Sequence, residues 1–261
     1  MDHPGRADRV LLRAAGAGSV SIVIPAYNEE DNLAVVLEAC LEALKGLASY
    51  EVIVVDDAST DRTVGIAEEY AARYPSVKLI RMASDVGPHL CVLTGFREAK
   101  GDLLFFLPAD RQVMPDQLPG CLDAMAEADY VCTRRVPRKD PVHRRAMAWL
   151  YNGMLRVVFR LPIHDVDSCV LLRRSVVEQV GRELVSGSTF ILAELLIRAR
   201  AAGFRVTEVP IEHHPRVAGR PSAITPREVA RTVTDFAASL PSLFGVYRSV
   251  RRGRRIPGDT T

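Results

Sequence analysis

The sequence predicts an α/β fold: a Rossmann-like, mixed but mostly parallel sheet flanked by helices, with a helical C-terminal extension. Short β-branched runs at residues 21–24 and 52–55 alternate with stretches whose apolar residues recur at helical spacing. Strands that alternate with helices are typical of a parallel sheet. Apolar residues make up 48% of the 261 residues and charged residues 25%, so the chain can form a full core without disulfides or metals.

The elements follow a regular order up to residue 133. The predicted strands span residues 19–25, 51–56, 77–82, 103–107 and 129–133. The predicted helices span residues 30–46, 61–74, 89–99 and 115–127. Asp61 or Thr60 can cap the second helix, and Pro115 suits the first turn of the fourth helix.

The second half of the chain has a different character. It opens with an arginine-rich stretch at residues 134–145. The expected elements are then a helix over 143–159, a short segment over 165–172, a helix over 188–201, a strand over 204–213 and a helix over 226–249. We therefore expect a disordered lead-in over 1–18, one domain over 19–223, and an amphipathic helix with a basic tail over 224–261.

Composition excludes several classes of function. A net charge of only +2 argues against nucleic-acid binding. The five cysteines lie in apolar surroundings without metal-ligand spacing, which favours reduced core thiols in a cytoplasmic protein. We find neither a secretory signal nor a run of about 18 apolar residues, so we expect no membrane-spanning helix.

Polar turns follow the first two predicted strands. The first strand runs into residues 25–30 (Pro-Ala-Tyr-Asn-Glu-Glu), and the second runs into residues 56–63 (Asp-Asp-Ala-Ser-Thr-Asp-Arg-Thr). Ligands of open parallel sheets bind outside the carboxyl ends of the strands. We therefore expect the functional site at this edge.

These two runs resemble inverting family-2 glycosyltransferases of the GT-A fold. Within that family they are most similar to the polyprenyl-phosphate sugar (dolichyl-phosphate mannose synthase-like) branch. Further matching runs follow in the family's order at residues 95–102, 109–112, 165–168 and 208–211. The resemblance covers roughly residues 19–223.

The resemblance implies a site for a nucleotide-diphosphate sugar. Pro25, Ala26 and Tyr27 would line the nucleotide, with Tyr27 packed on or beside the base. Glu29 and Asp57 would accept hydrogen bonds from the base and the sugar. The alternative for the aspartates after the second strand is turn and helix-capping chemistry.

The resemblance also implies a Mg²⁺ or Mn²⁺ site after the fourth strand. The family usually has Asp-x-Asp there, whereas this chain has Pro108 in place of the first aspartate. Asp110 and the Gln112 amide would hold the metal together with substrate phosphates, and Asp110 would also contact the donor and take part in catalysis. The alternative is that Asp110 caps the following helix.

Basic residues are expected to bind phosphates. The resemblance places such contacts on Arg134 and on Arg144 or Arg145, and the alternative is a solvated basic face. Residues 213–222 resemble the family's Arg-x-x-Gly-x-Ser loop, so Arg216 and Ser222 would bind the diphosphate. The lysine usual after that serine is Ala223 here.

Asp167 is the best carboxylate for the acceptor side, or for a general base if the acceptor is a hydroxyl. The alternative is a buried aspartate bonded to local backbone. The apolar stripe around Trp149 in the helix over 143–159 is expected in the core, or as the lining of a lipid-acceptor groove.

The resemblance therefore implies an inverting, metal-assisted transferase that moves a hexose from GDP-mannose or a UDP-hexose to polyprenyl phosphate or a similar acceptor. It would be cytoplasmic, with peripheral contact at the inner face of the membrane through its arginine-rich last helix. The alternatives are transfer to a small soluble hydroxyl acceptor and a non-catalytic nucleotide-sugar-binding partner. A sugar nucleotidyltransferase fits less well, because a Gly-rich, Arg-bearing loop does not follow the first strand.

Overall fold

A seven-stranded sheet forms the centre of the molecule. The computed structural model describes residues 18–139, 142–217 and 226–251, so most of the predicted lead-in and the basic tail lie outside the described residues. The strands are β1 (Val20–Ala26), β2 (Tyr50–Asp56), β3 (Val77–Arg81), β4 (Leu103–Phe106), β5 (Tyr130–Arg135), β6 (Val170–Arg173) and β7 (Val206–Ile211). Their order across the sheet is β3-β2-β1-β4-β6-β5-β7.

Strand β6 makes the sheet mixed. It pairs antiparallel with both β4 and β5, whereas the other neighbouring strands pair in parallel. Because β6 runs in the opposite direction, the residues just before it lie at the edge where β1, β2, β4 and β5 end. The segment predicted over 165–172 thus delivers Asp165 and Asp167 to the same edge as the first two polar turns.

Eight α-helices surround the sheet within the described residues. They are α1 (Leu33–Ala43), α2 (Thr63–Arg73), α3 (Pro88–Glu98), α4 (Leu118–Ala124), α5 (Val142–Phe159), α6 (Arg174–Val180), α7 (Phe190–Ala201) and α8 (Pro226–Arg251). Helix α6 was not predicted. The helix predicted over 115–127 is a 3₁₀ turn, Pro115–Gln117, followed by the shorter α4.

Two apolar layers lie on opposite faces of the sheet. One packs α3, α5, α6, α7 and α8 against the sheet, and the other packs α1, α2 and α4 against it. The predicted mostly parallel sheet flanked by helices is thus confirmed. All five cysteines are buried free thiols, as expected.

Helix α5 departs from its prediction. Its inner face, which includes Leu155 and Phe159, is buried in the core. However, Trp149 is 78% exposed, Leu150 68% and Val157 80%. The prediction that the Trp149 stripe packs in the core is therefore wrong for Trp149 and Leu150, because α5 has apolar residues on two faces and only one of these faces is buried.

Helix α8 packs against α7 at the end of the chain. The rings of Phe190 and Phe236 pack edge to face, with their centroids 5.3 Å apart. Beside them, the buried Glu194 carboxylate accepts hydrogen bonds from Arg198 Nε at 2.8 Å and from the Ser186 amide at 2.9 Å, so Glu194 has a structural role. None of the helices in the described part of the chain is long and apolar enough to cross a bilayer.

Gly95 allows α3 to approach the sheet closely. A Cβ at this position would overlap the Val23 side chain and lie 3.1 Å from Val55 Cγ2. We expect Gly95→Ala to lower the free energy of unfolding by about 1–3 kcal/mol, the usual cost of overpacking, in urea denaturation. Gly153→Ala in α5 is the matched control, because a Cβ there meets no atom within 4 Å. An unchanged or raised stability in Gly95→Ala would contradict this packing.

Candidate active site

The loops that follow β1 and β2 are joined by hydrogen bonds. The Asn28 amide donates to Ser59 Oγ at 2.9 Å, and Asn28 Oδ1 accepts from the Thr60 amide at 2.8 Å. Asn28 adopts a φ of 53°, in the left-handed region that asparagine tolerates. Tyr27 stays 43% exposed at the rim, where its ring is open to a ligand.

Asp57 connects the end of β2 to the start of α3. Its two carboxylate oxygens accept hydrogen bonds from the amides of Val86, at 2.8 Å, and Gly87, at 2.9 Å. Burial raises the pKa of the Asp57 carboxyl above its usual value. Asp56 Oδ2 accepts from the Ser59 amide at 3.2 Å. The alternative of turn chemistry is therefore observed for both aspartates, and ligand binding by Asp57 stays a prediction.

Glu29, Asp110 and Arg216 form a compact charged cluster. Arg216 Nη2 lies 3.1 Å from Glu29 Oε1 and 3.2 Å from Asp110 Oδ2. All three side chains are largely buried, and burial raises the pKa of Glu29. The cluster joins the segments that follow β1, β4 and β7, and Arg216 lies 187 positions along the chain from Glu29.

The segment that carries Arg216 is fixed to the loop after β4. The His214 amide donates to the Gln112 carbonyl at 2.8 Å, and Gln112 Nε2 donates to the His214 carbonyl at 3.4 Å. The buried His213 accepts a hydrogen bond from the Lys139 amide at 3.0 Å, which agrees with a structural role. Beside Arg216 lies an open pocket of about 390 Å³, lined by Arg111, Met114, His214, Pro215, Arg216 and Val217.

Asp110 and Gln112 offer the oxygen ligands that Mg²⁺ and Mn²⁺ prefer. Asp110 Oδ1 accepts from the Gln112 amide at 3.1 Å, which orients the carboxylate. The described residues contain no group of three or more His, Cys, Asp or Glu side chains that could hold a metal by themselves. A metal at this site would therefore need further ligands, and substrate phosphates are the usual source.

The predicted phosphate-binding arginines occupy different places. Arg134 is partly exposed, with its Nε 3.8 Å from Glu208 Oε2. Arg144 is half-buried on α5. Arg216 belongs to the cluster with Asp110, and Ser222 lies outside the described residues. The structure therefore brings Arg216 close to Asp110.

Asp167 is half-buried, with its Oδ1 atom enclosed, beside a charged network that sequence reasoning missed. Arg135 binds the carboxylate of Asp165 through two hydrogen bonds of 2.8 and 2.7 Å, and Arg138 approaches it at 3.4 Å. Burial, together with the negative charge of Asp165, raises the pKa of Asp167 to about 6. Asp167 Oδ1 has no hydrogen-bond partner among the described residues. This oxygen therefore does not make the hydrogen bond to local backbone that a purely structural aspartate was expected to make.

Comparison with known proteins identifies the family. The model of "Glycosyl transferase family 2" matches residues 21–181, which is more than half of the chain. The chain belongs to glycosyl transferase family 2. The GT-A architecture expected from the resemblance is confirmed by the fold and by its solved neighbours.

Two curated relatives resemble most of this chain. The undecaprenyl-phosphate 4-deoxy-4-formamido-L-arabinose transferase of Edwardsiella ictaluri is 34% identical, covering 77% of this chain and 61% of its own length. The dolichol-phosphate mannosyltransferase of Pyrococcus furiosus is 36% identical, covering 77% of this chain and 58% of its own length. The chain therefore spans about three-fifths of the length of these relatives.

A solved structure has the same fold. Glucosyl-3-phosphoglycerate synthase from Mycobacterium tuberculosis, in complex with Mn²⁺, UDP and phosphoglyceric acid, superposes with a TM-score of 0.68 at 18% identity. The match covers 94% of this chain and 84% of that protein. At this identity the likeness establishes the fold and not the activity.

The position of Arg216 leads to a prediction about metal affinity. We expect Arg216→Gln to tighten Mn²⁺ binding about fivefold or more, because the guanidinium no longer competes for Asp110 and a charge-assisted hydrogen bond contributes about 1.5–3 kcal/mol. Electron paramagnetic resonance of Mn²⁺ with the protein alone measures this affinity. Arg111→Gln is the control, because it removes a positive charge from the same pocket. Equal effects of the two substitutions, or weaker binding in Arg216→Gln, would contradict the prediction.

Proposed function

We propose that this protein transfers a hexose from a nucleotide-diphosphate sugar to polyprenyl phosphate, with inversion at the anomeric carbon. The observation that carries the proposal is the cluster of Glu29, Asp110 and Arg216 at the carboxyl edge of the sheet. It puts carboxylates and a cation where ligands of this architecture bind. Membership of family 2 and the two polyprenyl-linked relatives support the same activity.

The donor would bind across the ends of β1, β2 and β4. The exposed Tyr27 ring would pack on or beside the base, with the backbone of Pro25 and Ala26 behind it. Glu29 and Asp57 would accept hydrogen bonds from the donor. Asp57 already accepts hydrogen bonds from the Val86 and Gly87 amides. Because a carboxylate has about four acceptor positions, it can accept further hydrogen bonds from the donor.

Asp110 and Gln112 would hold Mg²⁺ or Mn²⁺. When bound, the metal would neutralise charge on the departing nucleoside diphosphate. The M. tuberculosis neighbour has been solved with UDP and either Mn²⁺ or Mg²⁺, which supports a divalent metal here. Asp110 would act as a catalytic residue by fixing the diphosphate end of the donor.

The transfer is a single displacement. An oxygen of the acceptor phosphate forms a bond to the anomeric carbon as the bond from that carbon to the diphosphate oxygen breaks. Arg216, with Ser222, would bind the departing diphosphate, and Arg134 and Arg144 would bind the acceptor phosphate. A phosphate acceptor is already ionised, so this reaction needs no strong base.

Transfer to a small hydroxyl acceptor is the second candidate. The half-buried Asp167, with its pKa raised to about 6, favours it, because a hydroxyl must lose a proton to a base and a base with a pKa near neutrality suits that task. Asp167 would then be the catalytic base. A non-catalytic nucleotide-sugar-binding partner is the third reading, supported by Pro108 in place of an aspartate.

A membrane-bound acceptor requires access to the lipid surface. We propose that the transferase domain spans residues 19–223, and that the protein contacts the inner face of the membrane from the cytoplasm. Helix α5 exposes Val142, Trp149, Leu150 and Val157, carries three arginines and contains no acidic residue. The helical extension over 224–261 adds further arginines. Such basic apolar faces suit an anionic bilayer surface.

Calorimetry tests the donor site. GDP, UDP, GDP-mannose, UDP-glucose and UDP-GlcNAc are titrated with and without Mn²⁺. We expect one nucleotide to bind tightly, and its affinity to fall about tenfold or more without Mn²⁺ or in Asp110→Ala, because a metal ligand is lost. Asp116→Ala removes an exposed carboxylate from the following 3₁₀ turn and serves as the control.

Binding that does not depend on Mn²⁺ would contradict the metal role of Asp110. Failure of all five nucleotides to bind would contradict the donor site. Tight, metal-dependent binding without any turnover would favour the non-catalytic reading.

Co-sedimentation with vesicles tests the membrane contact. We expect binding to phosphatidylglycerol-containing vesicles and a loss of about tenfold or more in Trp149→Ser/Leu150→Ser, because burying each side chain contributes about 1.5–3 kcal/mol. Val185→Ser removes an apolar side chain of similar exposure elsewhere and is the control. Equal binding by the double variant and the control would contradict a role for α5.

A further inference from the structure

Three buried polar atoms have no hydrogen-bond partner among the described residues and have no part in the donor site outlined above. They are Nδ1 of His89, the hydroxyl oxygen of Tyr151 and Oδ1 of Asp167. A buried polar group without a partner costs about 1–3 kcal/mol, and such groups are rare in native proteins. Three of them in one region therefore indicate a place where a polar ligand completes the hydrogen bonds.

The three side chains converge from separate elements. His89 is in the first turn of α3, Tyr151 is on α5, and Asp167 precedes β6. The Val166 amide donates a hydrogen bond to Asn152 Oδ1 at 2.9 Å, so the residues next to Asp167 and Tyr151 are in contact. Burial is the main cause of the shifted pKa values of His89 and Asp167, and the charge of Arg135, at the end of β5, acts on both, so His89 belongs to the same region.

This region adjoins the proposed donor site on two sides. The Val86 and Gly87 amides that bind Asp57 lie immediately before the turn that carries His89. Leu171 of β6 pairs with Phe105 of β4, so the residues just before β6, which include Asp167, lie at the end of β4 that leads to Asp110. The polar atoms therefore lie between the nucleotide loops and the end of β4, where the diphosphate is expected.

The chemistry of the pocket favours a neutral, hydroxyl-bearing group over an anion. Asp165 already engages Arg135 through two hydrogen bonds and Arg138 at 3.4 Å, so its carboxylate offsets one of the two positive charges. Asp167 adds a second carboxylate that would repel a phosphate. His89 stays neutral at pH 7, because burial and the nearby Arg135 lower its pKa to about 4.

The hydrogen-bonding capacity of the pocket is mixed. Asp167 accepts hydrogen bonds, the Tyr151 hydroxyl both donates and accepts, and a neutral imidazole offers one donor and one acceptor nitrogen. Sugar hydroxyls also donate and accept, so two or three of them could satisfy all three side chains. Enzyme sites built to bond a substrate hydroxyl discriminate strongly against an analogue that lacks it.

We propose that His89, Tyr151 and Asp167 form a sugar-binding pocket that holds hydroxyl groups of the transferred hexose and determines which hexose is used. The proposal rests on the proposed function, and it names the residues that recognise the sugar rather than the nucleotide. The contact with the sugar is measured by dividing the dissociation constant of the nucleotide sugar by that of its nucleoside diphosphate. The contribution of the nucleotide cancels in this ratio.

Calorimetry of UDP against UDP-glucose and of GDP against GDP-mannose measures the ratio. We expect Tyr151→Phe, Asp167→Asn and His89→Ala each to raise it about fivefold or more, because one hydrogen bond to the sugar is lost, and to change nucleoside diphosphate affinity less than about twofold. Tyr74→Phe, at the end of α2 on the opposite face of the sheet, is the control and should leave the ratio unchanged.

Thermal denaturation separates this role from a structural one. The pKa of Asp167 is higher in the folded protein than in the unfolded chain, so its ionisation destabilises the fold as the pH rises from about 4 through 6. We therefore expect Asp167→Asn to raise the melting temperature at pH 8 and to have little effect at pH 4. A side chain kept for stability would instead lower the melting temperature at pH 8 when replaced.

An unchanged ratio in all three variants, with nucleoside diphosphate binding intact, would overturn the sugar pocket and leave the donor site standing. A melting temperature that falls at pH 8 in Asp167→Asn would also overturn it. Failure of the unmodified protein to bind either nucleoside diphosphate would contradict the donor site, and the sugar pocket would fall with it.

Discussion

The arrangement of the loops at the carboxyl edge of the sheet depends on the Arg216 guanidinium, which lies between two carboxylates. Glu29 and Asp110 come from loops that follow different strands, and both lie within 3.2 Å of Arg216 Nη2. In a largely buried position, the two carboxylates would repel each other without a positive charge between them. The backbone pairing of Gln112 with His214 brings the arginine-bearing segment to this point. The guanidinium therefore fixes the relative positions of three loops.

The same cluster explains how Pro108 can be accommodated. An aspartate at that position would place another negative charge near Glu29 and Asp110. With proline there, the two carboxylates and one guanidinium leave a net charge of one negative unit, which suits a single divalent metal shared with substrate phosphates. The proline in the Asp-x-Asp position and the pairing of Arg216 with two carboxylates are therefore compatible in charge.

Much of the fold and part of the site could be predicted from the sequence. The alternation of strands and helices predicted the parallel core, and the polar turns after residues 24 and 55 predicted the functional edge. These signals are local, because strand length and helical periodicity are properties of short segments. The direction of β6 could not be predicted in this way, since it depends on pairing with β4 and β5, and so the proximity of Asp167 to the rim was not evident from spacing alone.

The site residues that could not be predicted from the sequence were missed for one reason. His89, Tyr151 and Arg135 belong to no motif, and their meeting depends on how α3 and α5 pack on the sheet. The exposure of Trp149 was missed for a related reason, because periodicity identifies an apolar face of a helix and not the neighbour that it meets. The pairing of Arg216 with Glu29 spans 187 positions and could be found only in three dimensions.

Direct observation of the transfer product tests the central claim. The purified protein is incubated with Mn²⁺, farnesyl phosphate as a short polyprenyl acceptor, and the nucleotide sugar that binds most tightly. Mass spectrometry then identifies the lipid product, and NMR determines the anomeric configuration. We expect a farnesyl-phosphate hexose whose anomeric configuration is opposite to that of the donor, formed by the native chain and not by Asp110→Ala. Retention of configuration, or release of free hexose without a lipid product, would contradict it.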